Sequence, residues 1–67
     1  MDKETVMEQL TREAGYARRS MSRDLLMEVY GKAKMALQLG AISIQEFMAV
    51  NTMTVYFVNT HMRELLV

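Results

Sequence analysis

The stretch Leu39-Gly40-Ala41-Ile42-Ser43-Ile44-Gln45-Glu46-Phe47 decides the fold. Gly40 follows an apolar-periodic segment. That is where a helix commonly ends in a left-handed residue, a conformation glycine adopts without a Cβ penalty. Ser43 and Glu46 have capping-box spacing: the hydroxyl accepts from an orphan N–H of the new helix while the carboxylate reaches back to the serine amide. Ile42 and Phe47 stand at the positions of a hydrophobic staple, which fixes the angle at which the chain enters that helix. These devices predict one helix ending and another beginning, and so short a connection makes the two helices antiparallel neighbours.

Upstream, Leu26, Val29, Ala33 and Ala36 recur at spacings of three and four, and Leu25, Tyr30 and Leu37 widen the stripe. Downstream, Phe47, Val50, Met53 (or Thr54), Phe57, His61 and Leu65 form one face. Met48, Val55, Met62 and Leu66 form a second. At about 1.5 Å per residue the two helices are about 27 and 33 Å long. A helix that is apolar on two faces needs a second partner to cover it. The N-terminal helix of the same chain could serve, and so could a second copy. A single short helix is a small cover for both stripes, which favours the second copy.

In the N-terminal third, Met7, Leu10, Ala14, Ala17 and Met21 keep helical spacing straight through Gly15. Asp2 can cap the start, and Glu4 falls in the first turn, where its charge suits the helix dipole. Gly15 either ends this helix or weakens it by about 1 kcal/mol. Ser20 and Ser22 both read as N-caps of a fresh helix. The chain therefore reads as all-α: three helices at about residues 3–14, 18 or 22 to 39, and 44–65. The last two form an antiparallel hairpin packed as a homodimeric helical bundle, and residues 1–67 form a single small domain.

Composition bounds the function. At 67 residues the chain is near the lower limit for a single hydrophobic core, where disulfides, a metal or a second subunit usually help. There is no cysteine and one histidine, so no cofactor or metal is expected, and oligomerisation is the support that remains. A hydrophobic content of 51% agrees with that. Formal net charge is zero, so no global basic field points to nucleic acid. The charged start Met1-Asp2-Lys3-Glu4 is unlike a signal peptide, and Phe47 to Val58 is too short and too polar to span a bilayer. A cytoplasmic location without membrane attachment is the expectation.

The segment Leu10-Thr11-Arg12-Glu13-Ala14-Gly15-Tyr16-Ala17-Arg18-Arg19-Ser20-Met21-Ser22-Arg23-Asp24-Leu25 resembles the helix-turn-helix of lac-repressor-type regulators. Leu10, Arg12 to Tyr16, Ser20 to Arg23 and Leu25 match that family's pattern in type and spacing, while Thr11 and Ala17 depart from it. The resemblance implies a turn at Gly15–Ala17, DNA as a partner, and Arg18, Arg19, Ser22 and Arg23 meeting bases or phosphates. Read without it, Arg18, Arg19 and Arg23 are the solvated face of a helix. Gly40, Ile42, Ser43, Glu46 and Phe47 also resemble the core of short bacterial oligomerisation modules of the SHOCT kind. That implies an interaction element.

Methionine is frequent, eight of 67 residues. It is flexible and polarizable and recurs on adaptable binding surfaces. Met27, Met35, Met48 and Met62, with Val55 and Leu66, are the interface candidates, whereas Met53 reads as core. Asn51 and Asn59 lie in the middle of the last helix, where a paired amide across a symmetric interface would fix register, and Asn51 is the candidate for that role. His61 and Glu64 have a spacing that could supply two metal ligands, but the chain holds no second pair, so they read as an ordinary helix pair. No nucleophile–base set and no glycine-rich phosphate loop is present. The expected function is binding, not catalysis: a small helical interaction protein docking on itself and on a protein partner, akin in size and character to accessory proteins of phages and conjugative elements. The alternative is a DNA-binding regulator using residues 10–25.

Overall fold

The computed structural model describes residues 2–65, and among them every regular element is helical. Four helical segments follow one another: α1 (Lys3–Arg19), α2 (Arg23–Gln38), α3 (Ile44–Met53) and α4 (Val55–Thr60).

α1 starts as its sequence dictates, with the Thr5 N–H donating to Asp2 Oδ1 at 2.8 Å. It then continues past the end expected near residue 14. Gly15 to Ala17 are helical, so the turn implied there by the regulator resemblance is absent. The reason lies in packing. Leu10, Ala14 and Ala17 are all buried on one α1 face, and burying them outweighs the helix cost of one glycine. α1 closes at Ser20, where the Ser22 N–H donates to the Ala17 carbonyl and the Met21 N–H to the Arg18 carbonyl. This is a Schellman motif with Met21 in the left-handed position, at φ 52°. Ser22, not Ser20, then caps α2, accepting from the Leu25 N–H at 3.3 Å.

α2 ends in a second Schellman motif. The Ala41 N–H donates to the Ala36 carbonyl at 2.8 Å and the Gly40 N–H to the Leu37 carbonyl at 3.0 Å, with Gly40 at φ 76°. The capping box of α3 is complete: Glu46 N–H to Ser43 Oγ at 3.2 Å, and Ser43 N–H to Glu46 Oε1 at 2.7 Å. Ile42 is buried and Phe47 packs on the same cluster, as a staple requires.

The third helix, expected unbroken over 44–65, is divided at Thr54 and ends at Thr60. Thr54 lies at φ −119° and ψ −85°, fully buried, with its hydroxyl donating to the Val50 carbonyl at 3.0 Å. Thr52 and Thr60 donate likewise to the carbonyls of Met48 and Tyr56. Hydroxyls bonded four residues back bend helices, and β-branched residues crowd the preceding turn. A closing turn, in which the Glu64 and Leu65 N–H groups both donate to the His61 carbonyl, follows α4 and buries Leu65.

Two apolar clusters hold these elements together. Leu10, Ala14, Val29, Ala33, Ile42 and Val50 form the first, at the junction of α1, α2 and α3. Ala17, Leu26, Val58 and Leu65 form the second, joined by Met21, Leu25 and Phe57. Alanine supplies Ala14, Ala17 and Ala33, which keeps α1 and α2 close. An ion pair from Lys32 to Glu13 at 2.8 Å links the same two helices. Its ammonium is half exposed, so solvent screens the pair.

Candidate functional site

Large apolar side chains remain on the outside. Met27, Met35, Met48 and Met62, four of the residues expected at an interface, are all exposed. Tyr16, Leu39, Ile44 and Tyr56 are exposed as well. The signal for Leu39, Ile44 and Tyr56 was present, since each lies off the core-facing stripes. Val55 and Asn51 are half-buried, and Leu66 lies outside the described residues. Asn51 is tied to the fold through its carbonyl, which accepts the Thr54 N–H at 3.2 Å.

The outer face of α2 carries Met27, Gly31 and Met35 at spacings of four, all exposed. A Cβ built at Gly31 meets nothing within 4 Å. The strip is therefore low in its middle and apolar at both ends. Met27 also borders a cavity of about 190 Å³ lined by Arg23, Val55, Val58, Asn59, Met62 and Leu65. Here Met27, Val55 and Met62, drawn from two helices and the closing turn, come together.

The arginines expected to act as a set are separated. Arg18 places its guanidinium 4.6 Å from the Phe57 ring centroid and lines a cavity with Met53, Tyr56 and His61. Arg19 lines the groove between α1 and α2. Arg23 lines the cavity beside Met27. Ser22, the fourth member, is committed to capping α2. The exposed positions of the first α2 turns add Asp24, Met27 and Glu28, which do not extend a basic surface.

His61 stacks on Phe57 at 4.2 Å between centroids, and its Nδ1 lies 3.1 Å from the Phe57 carbonyl oxygen. Phe57 thus takes a guanidinium from α1 and an imidazole from the residue that follows α4.

The charged groups with displaced titrations are those with structural partners. The Thr5 backbone N–H lowers the Asp2 carboxyl, and the Ser43 N–H lowers that of Glu46. The Lys32 ammonium lowers Glu13, and Glu13 in turn raises Lys32. No helix formed by the described residues is long and apolar enough to cross a membrane. Comparison of the chain with known protein families, curated proteins and solved structures finds no match.

Proposed function

We propose that the protein acts by binding, as a small helical interaction module that docks on a second copy of itself and on a protein partner through its methionine-bearing outer faces. The observation that carries this reading is the exposure of Met27, Met35, Met48 and Met62 together. Among the described residues, eight large apolar side chains are exposed against ten buried apolar ones, and three of those ten are alanines. So small a core supplies only about 3–5 kcal/mol, which makes further burial in an assembly favourable. Methionine suits a surface that repacks against more than one partner.

In this reading α2 and α3 form an antiparallel hairpin that makes up half of a dimer core. The low apolar strip Met27-Gly31-Met35 admits a neighbouring helix closely, and Asn51 fixes register. Sedimentation velocity across a concentration series tests it. The expected result is a dimer that dissociates on dilution, while the Met35→Lys/Met48→Lys protein stays monomeric with an unchanged helical circular dichroism spectrum. A wild-type monomer at every concentration would overturn self-association. Retention of the same host protein by both the wild-type and double-lysine baits would overturn the assignment of these faces to a partner.

A further inference from the structure

The groove between α1 and α2 lies apart from the methionine faces. Its volume is about 390 Å³, within the roughly 300–1,000 Å³ of small-molecule sites. Leu25, Val29 and the Tyr16 ring supply apolar walls, while Arg12 and Arg19, seven residues apart on α1, stand on either side of Tyr16. Its ionic groups are unevenly matched. Glu13 accepts from Lys32 at 2.8 Å and from Gln9 at 3.0 Å. Glu28 lies 3.9 Å from the same lysine. Arg12 pairs with Glu8 at 2.9 Å in an exposed contact, which costs little to release. Arg19 has no carboxylate partner among the described residues, and its Nη1 lies back over Gly15, 3.3 Å from where a Cβ would stand. Glu13 is thus answered within the protein by two hydrogen bonds, whereas the Arg19 guanidinium at the groove's edge has no carboxylate partner among the described residues.

We infer that this groove binds a small amphipathic carboxylate, its apolar body against Leu25, Val29 and Tyr16 and its carboxylate on the Arg19 guanidinium. An apolar trough holding one unanswered cation selects an apolar body with one anionic end. Guanidinium matches carboxylate in a two-pronged geometry. Arg12 adds a second positive charge on the same edge. An amine of the same shape would meet two guanidiniums and find Glu13 already held by Lys32 and Gln9, with the Lys32 ammonium also beside Glu28.

The experiment is a titration of the intact ¹⁵N-labelled protein with octanoate below its micelle-forming concentration, against octylamine and octan-1-ol. Octanoate should give saturable amide shifts centred on Arg12 to Arg19 and on Leu25 to Val29. Octan-1-ol should bind the same residues more weakly, and octylamine should leave them unmoved. Arg19→Gln, an exposed change that leaves the fold intact, should weaken octanoate binding at least about tenfold and leave octan-1-ol binding unchanged. Equal response to octanoate and octylamine, shifts centred on the methionine faces, no saturable binding, or full affinity in Arg19→Gln would each overturn the assignment. None of these outcomes bears on self-association, which is read separately by sedimentation.

Discussion

At Gly40 the backbone stands at φ 76°, and at Gly31 it follows an ordinary helix turn. The same substitution therefore has opposite signs at the two sites. Within the protomer Gly31→Ala meets open space and removes the entropy cost of a mid-helix glycine, so at concentrations where protomers are separate it should raise stability by about 0.5–1 kcal/mol. Gly40→Ala forces a Cβ into the left-handed region and should cost about 1–2 kcal/mol. Chemical denaturation of the two variants checks both signs. Met21 occupies at the end of α1 the place that Gly40 occupies at the end of α2, without glycine's freedom. Its side chain packs on the second cluster, which offsets the strained backbone. Met21→Ala and Met21→Gly remove the same packing, so the difference between them isolates the backbone cost. The glycine variant should be the more stable of the two by about 1 kcal/mol. Equal stabilities would mean that the left-handed conformation at this position costs nothing.

At the scale of elements, the junction of α2 and α3 was legible because capping is local chemistry. Gly40, Ile42, Ser43, Glu46 and Phe47 hold in the fold the places their spacing implied. The start of α1 at Asp2 was legible for the same reason, but the end of α1 and the division of the last helix were not, for reasons that lie beyond neighbouring residues. Gly15 reads as a breaker until Ala14 and Ala17 are seen buried against other helices, and the turn at Met21 carries no glycine to announce it. The apolar spacing allowed Thr54 on the core face, but it did not announce the break there, where the buried hydroxyl donates to the Val50 carbonyl. The exposed methionines were found by subtraction, as apolar residues beyond what a hairpin needs. The α1–α2 groove was not legible because Arg12, Tyr16 and Arg19 meet Leu25 and Val29 only once α1 packs on α2. The caps of α1 and α3 both use a carboxylate, from Asp2 and Glu46, and this has a consequence in acid. Asp2, Glu46 and the bridging Glu13 all titrate lower in the fold than their ordinary values of 3.8, 4.5 and 4.5. Groups lowered by folding stabilise it fully above those values and cease to do so as pH falls through the folded ones. Stability should therefore be level through neutral pH and decline only below about pH 4.5. Glu46→Gln should lie below the wild type near neutrality and converge on it in acid, measured by thermal melts across pH. A gap that persisted unchanged in acid would show that the carboxylate charge contributes nothing to the cap. Ser43→Ala removes the other half of the box and should cost about 0.5–2 kcal/mol at any pH.

For the whole molecule, a small core beside eight exposed large apolar side chains among the described residues would link folding to any assembly that covers them. The described chain extends 35 Å by 17 Å by 14 Å, and its fully buried large side chains are Leu26, Val50 and Thr54. A monomer held by so little sits close to its unfolding limit, so any surface that a second copy covers should add visibly to its stability. If the methionine faces are that surface, folding is linked to concentration by mass action. Raising the free protomer from far below its dissociation constant to a hundredfold above it adds about 2.7 kcal/mol. For a domain this size, 1 kcal/mol moves the melting temperature by about 4–8 °C, so a wide dilution series should shift it by roughly 10–20 °C. The Met35→Lys/Met48→Lys protein should melt at one temperature throughout, near that of the most dilute wild type, because both changes fall on exposed positions that the monomer core does not use. The control is Leu26→Ala, which opens a cavity in the second cluster and should cost about 2–5 kcal/mol whether or not the chain associates. Calorimetry or circular dichroism at graded concentrations reads all three. A wild-type melting temperature that did not move with dilution, in a protein that still binds its partner, would confine the methionine faces to that partner and remove the second copy from the account.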